Sequence, residues 1–504
     1  MAATVLALAV TMTGHPADPA RARSAAQHAD RRDHERPNVV FINTDDQRLD
    51  DMRWMPFTHR LIGGHGVTFT EALSPHPLCC PARAEFVTGQ YGQNNGVHHN
   101  EGTHGGYPAL RRPGNTLGHW LHDRGYQTAM VGKYLNRYRP DAASRRGWDH
   151  WNPSIAGVYS YRRTTFFDDG HRVRRTQHVD DVVTGYASRY IREFSRHRAP
   201  FYVWASDLAP HVRTTAHGYG NPLPADRHRG TLAHETNPAT AKASYGAPIV
   251  NGMRPRMTTR SQLGATMDKK FESRIESLQA VDEGVRRIVA TLRRTGELDD
   301  TYIFFTTDNG YLLGEHGLTA KNYIFEEALR VPLLVRLPRA ARPTTSSVPV
   351  TSADIAPTVA ALAGVAPGRR VDGTSFARLL TGGDVPWRDT QLVQTGRVSH
   401  TRSDQGWLVR GVRTDRWTYG RNVRNGSVQL YDRRTDPLET VNLATSPGYG
   451  PVLAELEART AALKDCAGAS CRRSFGPIPE PDTEPDTEPE PGPEPGPDAG
   501  PDQE

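Results

Sequence analysis

The chain has few cysteines and no long apolar stretch, and each lack excludes a class of protein. Only four cysteines occur among 504 residues, as the pairs Cys79/Cys80 and Cys466/Cys471, so a small protein held by a dense disulfide framework is excluded. A structural zinc site is poorly supported, because no second nearby Cys or His pair would complete four ligands. No run of about 18 consecutive apolar residues occurs, so we expect no membrane-spanning helix and no stable membrane insertion.

The N-terminus carries a short apolar run over residues 1–12 but lacks the basic segment that normally begins a signal peptide. An unstructured tail is the alternative. We favour a signal peptide over residues 1–22, followed by a disordered lead-in over residues 23–35. Cys466 and Cys471 enclose a short loop of small residues, and a disulfide between them would fit an exported protein better than two free thiols. We therefore expect a secreted or extracytoplasmic location.

The C-terminus lacks Lys and Arg and distorts the overall charge. Residues 477–504 contain ten Asp or Glu and ten Pro, so residues 476–504 are predicted to be a disordered acidic tail. Removing these ten charges from the formal total of +6 leaves +16 on the rest of the chain. A body that basic favours anionic partners such as sulfated or phosphorylated molecules or nucleic acid, although a general preference for Arg would give the same charge.

Short apolar, β-branched runs alternate with helical patterns through most of the chain. Buried strands are predicted at residues 38–43, 128–131, 201–205 and 301–306. Helices are predicted at residues 116–124 and 269–294, the second because apolar residues recur there at every third or fourth position. This alternation predicts the α/β class, with a large, mostly parallel sheet sandwiched by helices.

A composition shift near Trp387 begins a second unit. The runs at residues 407–412, 417–419 and 428–431 predict a small antiparallel sheet, and a helix is predicted from about Pro451 to Leu463. We therefore expect a larger domain over residues 36–386 and a smaller C-terminal α+β domain, containing the antiparallel sheet, over residues 387–475. Residues 212–264 show no clear period, and we interpret them as a substrate-facing loop.

Four oxygen-bearing side chains follow two of the predicted strands: Asp45, Asp46, Asp308 and Asn309. In parallel sheets, ligands collect beyond the carboxyl ends of the strands. Carboxylate and amide oxygens suit Ca²⁺ or Mg²⁺ rather than a thiophilic metal. The alternative is that these residues form turns or helix caps, but two such pairs in one chain favour a metal.

Four basic side chains belong to the same set of loops: Arg83, Lys133, His211 and Lys321. Together they could hold a tetrahedral anion and stabilise charge that develops on its oxygens. Each one alone would be an ordinary surface residue. The predicted sheet topology is what favours their convergence.

The stretch from Cys79 to Arg83 reads Cys-Cys-Pro-Ala-Arg and admits several interpretations. Adjacent cysteines rarely form a disulfide with each other, because the bond needs more separation than the ~3.8 Å between neighbouring Cα atoms. Cys79 could be a thiolate nucleophile assisted by Arg83, or a small buried residue. The residues by themselves indicate a metal-dependent hydrolase of an anionic ester.

These motifs resemble the formylglycine-dependent sulfatase family of the alkaline-phosphatase superfamily. The segments that carry the resemblance are residues 36–47, Cys79–Gly89, Gly132-Lys133, Ala209-Pro210-His211 and 307–317, followed by Lys321, residues 330–332, Asp372-Gly373 and the C-terminal motifs at residues 430–444. They occur in the family's order and span about residues 36–465. The resemblance implies an alkaline-phosphatase-like fold and a sulfatase catalytic domain over residues 36–386.

The resemblance also implies the chemistry. Cys79 would be oxidised to formylglycine (3-oxoalanine) by a formylglycine-generating enzyme, and an oxygen of the hydrated aldehyde would attack sulfur and displace the alcohol. The implied ligands of Ca²⁺, with Mg²⁺ as the alternative, are Asp45, Asp46, Cys79, Asp308 and Asn309. The implied sulfate-holding residues are Arg83, Lys133, His211 and Lys321, with His316 added to the substrate-binding set. His211 or Lys321 would protonate the leaving oxygen.

Two departures from the family pattern bear on this assignment. Ala82 replaces the usual Ser of the signature, and we expect conversion of Cys79 to survive because Cys, Pro and Arg are kept. Leu135 stands where many sulfatases carry a His. The run from Gly132 to Tyr138 instead resembles the branch that acts on glucosamine 6-sulfates, although residues 212–264 lack that branch's usual acidic motif.

The sequence therefore predicts a sulfuric ester hydrolase that releases sulfate from a sulfated sugar such as glucosamine 6-sulfate. Alternatives are a phosphonate or phosphodiester hydrolase of the same superfamily, a broad arylsulfatase, or a secreted protein that only binds sulfated polysaccharide. We expect a sulfated small molecule or saccharide as the partner rather than nucleic acid.

Overall fold

The computed structural model describes residues 36–251, 260–339 and 341–482. The predicted signal peptide, the lead-in and most of the acidic tail lie outside the described residues. The strands are β1 (Asn38–Thr44), β2 (Gly66–Phe69), β3 (Gln127–Gly132), β4 (His150–Ala156), β5 (Thr164–Asp168), β6 (His171–Arg175), β7 (Phe201–Ser206), β8 (Arg213–Thr215), β9 (Gly218–Gly220), β10 (Thr301–Thr307), β11 (Leu312–Leu313), β12 (Thr319–Ala320), β13 (Leu333–Arg336), β14 (Thr344–Ser346), β15 (Gln391–Gly396), β16 (Trp407–Arg413), β17 (Trp417–Asn422) and β18 (Val428–Asp432).

The α-helices are α1 (Pro56–Leu61), α2 (Cys79–Thr88), α3 (Gly92–Asn95), α4 (Leu117–His122), α5 (Ala142–Arg145), α6 (Val179–Phe194), α7 (Arg260–Thr295), α8 (Glu326–Leu329), α9 (Ile355–Leu362), α10 (Ala377–Leu380) and α11 (Gly450–Leu463). α7 contains a kink at Gly264. None of the helices in the described ranges is both long and apolar enough to cross a membrane.

A ten-stranded sheet forms the centre of the molecule, in the order β14-β2-β13-β10-β1-β7-β3-β4-β5-β6. The five strands β10, β1, β7, β3 and β4 run parallel to one another. Antiparallel neighbours flank this parallel core, with β13 beside β10 and β5 beside β4. The predicted large, mostly parallel sheet is confirmed.

Both faces of the sheet are covered by helices, as its buried strands require. Successive side chains of β1 alternate between two cores, with Val39 and Phe41 on one side and Val40 and Ile42 on the other. Helices α6 and α7 fill the second core, whereas α2, α4 and α9 pack in the first. Every residue of β1 is buried. The sheet is therefore a rigid base for the loops at its carboxyl edge.

The C-terminal region forms a separate four-stranded antiparallel sheet in the order β15-β16-β17-β18. Helix α11 packs on it through Val452 and Leu456. Cys466 and Cys471 are disulfide-bonded, whereas Cys79 and Cys80 are free and buried. The antiparallel C-terminal sheet and the disulfide are both confirmed.

Several elements of the fold were not predicted from the sequence. The strands β5 and β6 were not predicted. β6 lies at the edge of the sheet and contains a single apolar residue, Val173, whereas β5 offers only the short apolar run Phe166-Phe167. The segment from residue 212 contains the short hairpin β8–β9, and α7 begins at Arg260 rather than at residue 269.

Candidate active site

The loops that follow four parallel strands meet at one edge of the sheet. Asp45 and Asp46 follow β1, Lys133 follows β3, His211 lies in the loop after β7, and Asp308 follows β10. All five side chains are buried. The common direction of the strands is what brings their carboxyl ends together.

Helix α2 brings the signature motif to the same place. Cys79 is its first residue, and Pro81 lies in its first turn, where a missing backbone N–H leaves no intrahelical bond unmade. Arg83 is one turn after Cys79 and therefore lies on the same helix face. The Cys79 thiol is 3.9 Å from Asp46 Oδ1, and Arg83 Nε donates to Asp308 Oδ2 at 2.7 Å. The helix ends at Thr88, and the next residue, Gly89, adopts the left-handed conformation that favours glycine.

Three basic side chains face the two aspartates after β1. Lys133 Nζ donates to Asp45 Oδ2, and Lys321 Nζ donates to both carboxylate oxygens of Asp46. His211 Nε2 lies 3.7 Å from Asp46 Oδ2. The cluster is therefore a dense, largely buried array of acidic and basic groups, and electrostatic interactions are strong in such an environment.

Burial and charge act in opposite directions on the aspartates. Burial alone would raise the pKa of Asp45, but Lys133 and then His211 outweigh burial and hold it well below its usual range. The pKa of Asp46 is likewise lowered by Lys321 and His211 against its burial. Burial, followed by the charge of Asp45, raises the pKa of Asp308 to about 7.

Burial, with repulsion from Lys321, lowers the pKa of His211 to about 4. Burial and then Asp45 raise the pKa of the Cys79 thiol, so the thiolate form is disfavoured.

The donor set could hold a cation. Ligand atoms of Asp45, Asp46, Cys79 and His211 all lie within 4.8 Å of one another. Asp45 Oδ1 and Asn309 Oδ1 are buried acceptors without a hydrogen-bond partner in the described part of the chain. Buried acceptors without partners are costly, so these two oxygens are suited to a ligand that the protein itself does not supply.

Asp308 and Asn309 are bound into the cluster in different ways. Asp308 Oδ1 accepts from the backbone N–H of Asp46 at 3.1 Å, and its other oxygen accepts from Arg83. The Asn309 amide donates to Asp46 Oδ1 at 2.8 Å, which leaves its own oxygen free. Nine of the ten predicted site residues therefore lie together.

His316 is the predicted site residue that lies outside this bonded set. Its ring stacks on Phe325 at 4.3 Å, and its backbone N–H donates to Ser244 O at 2.7 Å. Across residues 36–251, 260–339 and 341–482, no hydrogen bond joins the His316 side chain to the cluster. The His316 backbone therefore joins the loop between β11 and β12 to Ser244, which lies in the segment that follows residue 212.

Tyr159 and Arg274 also contact the site but were not predicted. The Tyr159 ring stacks on His211 at 4.5 Å and lies 4.8 Å from Lys133 Nζ. Tyr159 follows a strand that the pattern did not reveal, so nothing in the sequence pointed to it. Arg274 donates to the backbone oxygen of Asp46 at 2.6 Å. Arg274 lies on the apolar stripe of the predicted helix, and a charged residue at such a position was the feature of the sequence that could have pointed to it.

Comparison with known protein families matches nearly all of the described chain. A family model described as Sulfatase matches residues 37–365, and one described as N-sulphoglucosamine sulphohydrolase, C-terminal, matches residues 314–465. An N-acetylglucosamine-6-sulfatase from Capra hircus is 30% identical over 494 residues, which cover 88% of this chain and 86% of that protein.

Two further similarities are informative. An extracellular sulfatase Sulf-1 homolog from Caenorhabditis elegans is 32% identical over 383 residues, which cover 72% of this chain but only 53% of that protein, so the chain spans about half its length. A protein solved in complex with its substrate D-glucosamine-2-N,6-O-disulfate has the same fold, with a TM-score of 0.69, 24% identity and coverage of 84% of this chain and 97% of the other.

Proposed function

Because the chain belongs to the sulfatase family and is a sulfuric ester hydrolase, we propose that it releases sulfate from a sulfated glucosamine, with glucosamine 6-sulfate as the substrate. The observation that carries this proposal is the placement of Cys79 at the start of α2, against the carboxylate of Asp46 and within a cluster that holds Lys133 and Lys321. The similarity to an N-acetylglucosamine-6-sulfatase over most of its length supports the choice of sugar.

The donor set fits a hard divalent cation, and we assign Asp45, Asp46, Asp308 and Asn309 as its ligands together with the group derived from Cys79. The free oxygens of Asp45 and Asn309 support this assignment. All these donors are oxygens, which favours Ca²⁺, with Mg²⁺ as the alternative. When bound, the cation would lower the pKa of an adjacent oxygen nucleophile and offset charge on the ester.

We propose that Cys79 is converted to formylglycine by a formylglycine-generating enzyme before the protein acts. The raised pKa of its thiol argues against a thiolate nucleophile in the unmodified chain. Cys80 lies in an apolar core and is not among the residues whose ligand atoms converge in the cluster. Cys80→Ser should therefore retain most of the turnover, whereas Cys79→Ser should abolish it in a host that modifies only cysteine.

The sulfate group is held by Arg83, Lys133, His211 and Lys321 in this proposal. Arg83, Lys133 and Lys321 can donate charge-assisted hydrogen bonds to sulfate oxygens, and the buried site makes such bonds strong. His211 would donate from Nε2 only once that nitrogen is protonated. We retain His316 as a further substrate-binding residue. Because no hydrogen bond joins its side chain to the cluster in the described residues, we assign it to the sugar rather than to the sulfate.

Lys321 is the proposed proton donor to the leaving oxygen. His211 Nδ1 contacts the carbonyl oxygen of Val212 at 2.6 Å, and a carbonyl only accepts, so Nδ1 carries the proton of the neutral ring. Nε2 of His211 is then unprotonated where it faces the cluster. Lys321 keeps its proton because Asp46 raises its pKa well above the usual value against the effect of burial.

We further propose that residues 36–386 form the catalytic domain and residues 387–475 a C-terminal subdomain, and that the protein is secreted or extracytoplasmic. The disulfide between Cys466 and Cys471 supports an oxidising compartment. The similarity to a protein named as an extracellular sulfatase homolog supports the same location.

The experiment that tests this function compares the purified protein on a panel of esters. We expect faster sulfate release from N-acetylglucosamine 6-sulfate than from sugars sulfated at other positions, and no comparable turnover of a phosphonate monoester or a phosphodiester. Faster phosphodiester turnover would refute the proposal. Equal rates on every sulfate ester would support a broad arylsulfatase instead.

A further inference from the structure

A buried carboxylate on α6 supports the loop that carries His211. Asp180 lies in the first turn of α6, and its side chain is fully buried. Its Oδ1 atom accepts from the backbone N–H groups of Leu208 and Ala209, at 2.8 and 3.4 Å. Both of these residues lie in the loop between the end of β7 and His211. Asp180 therefore connects α6 to this loop.

The same two loop residues are bonded to the active site through their carbonyl groups. Leu208 O accepts from the backbone N–H of His211 at 3.0 Å, and Ala209 O accepts from that of Asp45 at 3.2 Å. Each loop residue therefore has its N–H on Asp180 and its carbonyl on a residue of the site. Only one residue of the chain lies between the Asp180 carboxylate and the backbone of either site residue.

His211 depends on this support more than Asp45 does. The Asp45 carboxylate is also held by Lys133, and Asp45 directly follows the buried strand β1. The backbone of His211 lies in a loop, where it is bonded to Leu208 and to the hydroxyl of Tyr161, which donates to His211 O at 2.7 Å. Loss of the Leu208 anchor would therefore displace His211 rather than Asp45.

A second buried carboxyl group keeps Asp180 available as an acceptor. Asp207 directly follows β7 and is also buried. Burial raises the pKa of Asp207 well above its usual range, and the charge of Asp180 and a hydrogen bond between the two carboxyl groups add to this effect. Burial raises the pKa of Asp180 as well, but His178 opposes that effect. The pair therefore shares one proton, which Asp207 holds and donates, while Asp180 accepts from the loop.

We propose that Asp180 is a positioning residue for the sulfatase reaction, which holds the loop after β7 so that His211 faces the sulfate group of the substrate. This inference rests on the proposed function, because that function assigns His211 to the sulfate. An acidic residue in the first turn of a helix is also favoured by the helix dipole alone. The next residue, Asp181, offers the comparison, because it has the same charge in the same turn but binds Arg227 and Arg287 instead of the loop.

The kinetic test measures kcat/KM for N-acetylglucosamine 6-sulfate in variants of Asp180. Asp180→Ala removes the acceptor, and we expect about a 10²-fold fall, because a displacement of about 1 Å at a substrate-binding group has an effect of that size. Asp180→Asn keeps an oxygen for both N–H groups and should retain most of the activity. Asp181→Ala, the matched control, should match wild type. Equal losses in Asp180→Asn and Asp180→Ala would overturn the proposal.

A double variant tests whether Asp180 acts through His211. In the His211→Asn background, adding Asp180→Ala should lower kcat/KM by less than about 3-fold, because the group that Asp180 positions is already gone. A purely structural role would lower the active fraction by the same factor in both backgrounds, and that result would overturn the proposal. If Asp180→Ala does not fold, Asp180→Glu replaces it, since it keeps the carboxylate but moves it by one methylene. We expect about a 10-fold loss in Asp180→Glu, and wild-type turnover would overturn the proposal.

NMR of protein with ¹³C-labelled histidine separates the positioning role from the proposed reaction. The imidazole signal of His211 is identified by its absence in His211→Asn. We expect this signal to shift in Asp180→Ala and to keep its wild-type position in Asp180→Asn and Asp181→Ala. An unchanged His211 signal in folded Asp180→Ala would overturn the positioning role even if sulfatase activity is present. A shifted signal, together with no sulfate release by the wild type from any ester, would overturn the proposed reaction and still support the positioning of His211 by Asp180.

Discussion

Replacing Arg83 with methionine should destabilise the protein when no divalent cation is present. Arg83 is fully buried, and its guanidinium donates to Asp308 at 2.7 Å, to Lys133 O at 2.7 Å and to Ser206 Oγ at 2.6 Å. Asp45 Oδ2 lies 3.4 Å from its remaining nitrogen. The substitution therefore leaves two buried carboxylates with one fewer compensating charge.

The expected size of this loss follows from the burial of the ion pair. Removing one partner of a buried pair costs about 3–5 kcal/mol, because the remaining charge stays in a medium that solvates it poorly. The entropy of unfolding is about 2.1 cal/mol/K per residue, so in a domain of about 350 residues each kcal/mol corresponds to about 1.4 °C of Tm. We therefore expect Arg83→Met to lower Tm by about 4–7 °C in the presence of a chelator. Differential scanning calorimetry with EDTA measures this directly.

Two controls test the cause of the effect. Adding Ca²⁺ should reduce the Tm difference between Arg83→Met and wild type, because the cation compensates the same carboxylates. The double variant Arg83→Met/Asp308→Asn should lose less than the sum of the single losses, because it leaves no unpaired charge at Asp308. A wild-type Tm for Arg83→Met in EDTA, or strictly additive losses in the double variant, would refute the reasoning.

Two further predictions concern proton donation and a buried acid. Lys321→Met should lower turnover of the sugar sulfate by about 10²–10⁴-fold more than turnover of 4-nitrophenyl sulfate, whose leaving group needs no proton. If the loss on the sugar sulfate relative to the aryl sulfate is larger in His211→Asn than in Lys321→Met, His211 is the proton donor instead. Glu85 is buried in α2 with Ser352 Oγ as a donor, and its burial raises its pKa well above 4.5. A raised pKa in the folded state gives stability that is complete below pH 4.5 and is lost as the pH rises through the folded-state pKa. Glu85→Gln should therefore raise Tm relative to wild type at pH 8 but not at pH 4. An equal change at both pH values would show that Glu85 is not the titrating group.

The parts of the fold that could be predicted are those in which local pattern and burial agree. β1 and β10 are continuous apolar runs because both of their faces are buried, and each was predicted almost to its end. β6 could not be predicted, because a polar edge strand owes its pairing to its neighbour, here β5, rather than to its composition.

The candidate site was predictable to a similar extent and for a related reason. Motifs that follow parallel strands must meet at one edge, which located Asp45 and Asp308 without knowledge of any contact. Tyr159 could not be predicted, because it lies in the loop after β4 and no local sequence pattern indicates the path of that loop. The position of His316 outside the cluster could not be predicted either, because its stacking on Phe325 is a tertiary contact.

The account depends most on the chemical state of residue 79. The decisive measurement is peptide mass spectrometry across Cys79 and Cys80, on protein purified from a host that contains a formylglycine-generating enzyme, together with the rate of sulfate release by the same sample. We predict an aldehyde at position 79, an unmodified thiol at position 80, and a rate that rises in proportion to the converted fraction. Full sulfatase activity with an intact Cys79 thiol, or an aldehyde at position 80 instead, would contradict the account.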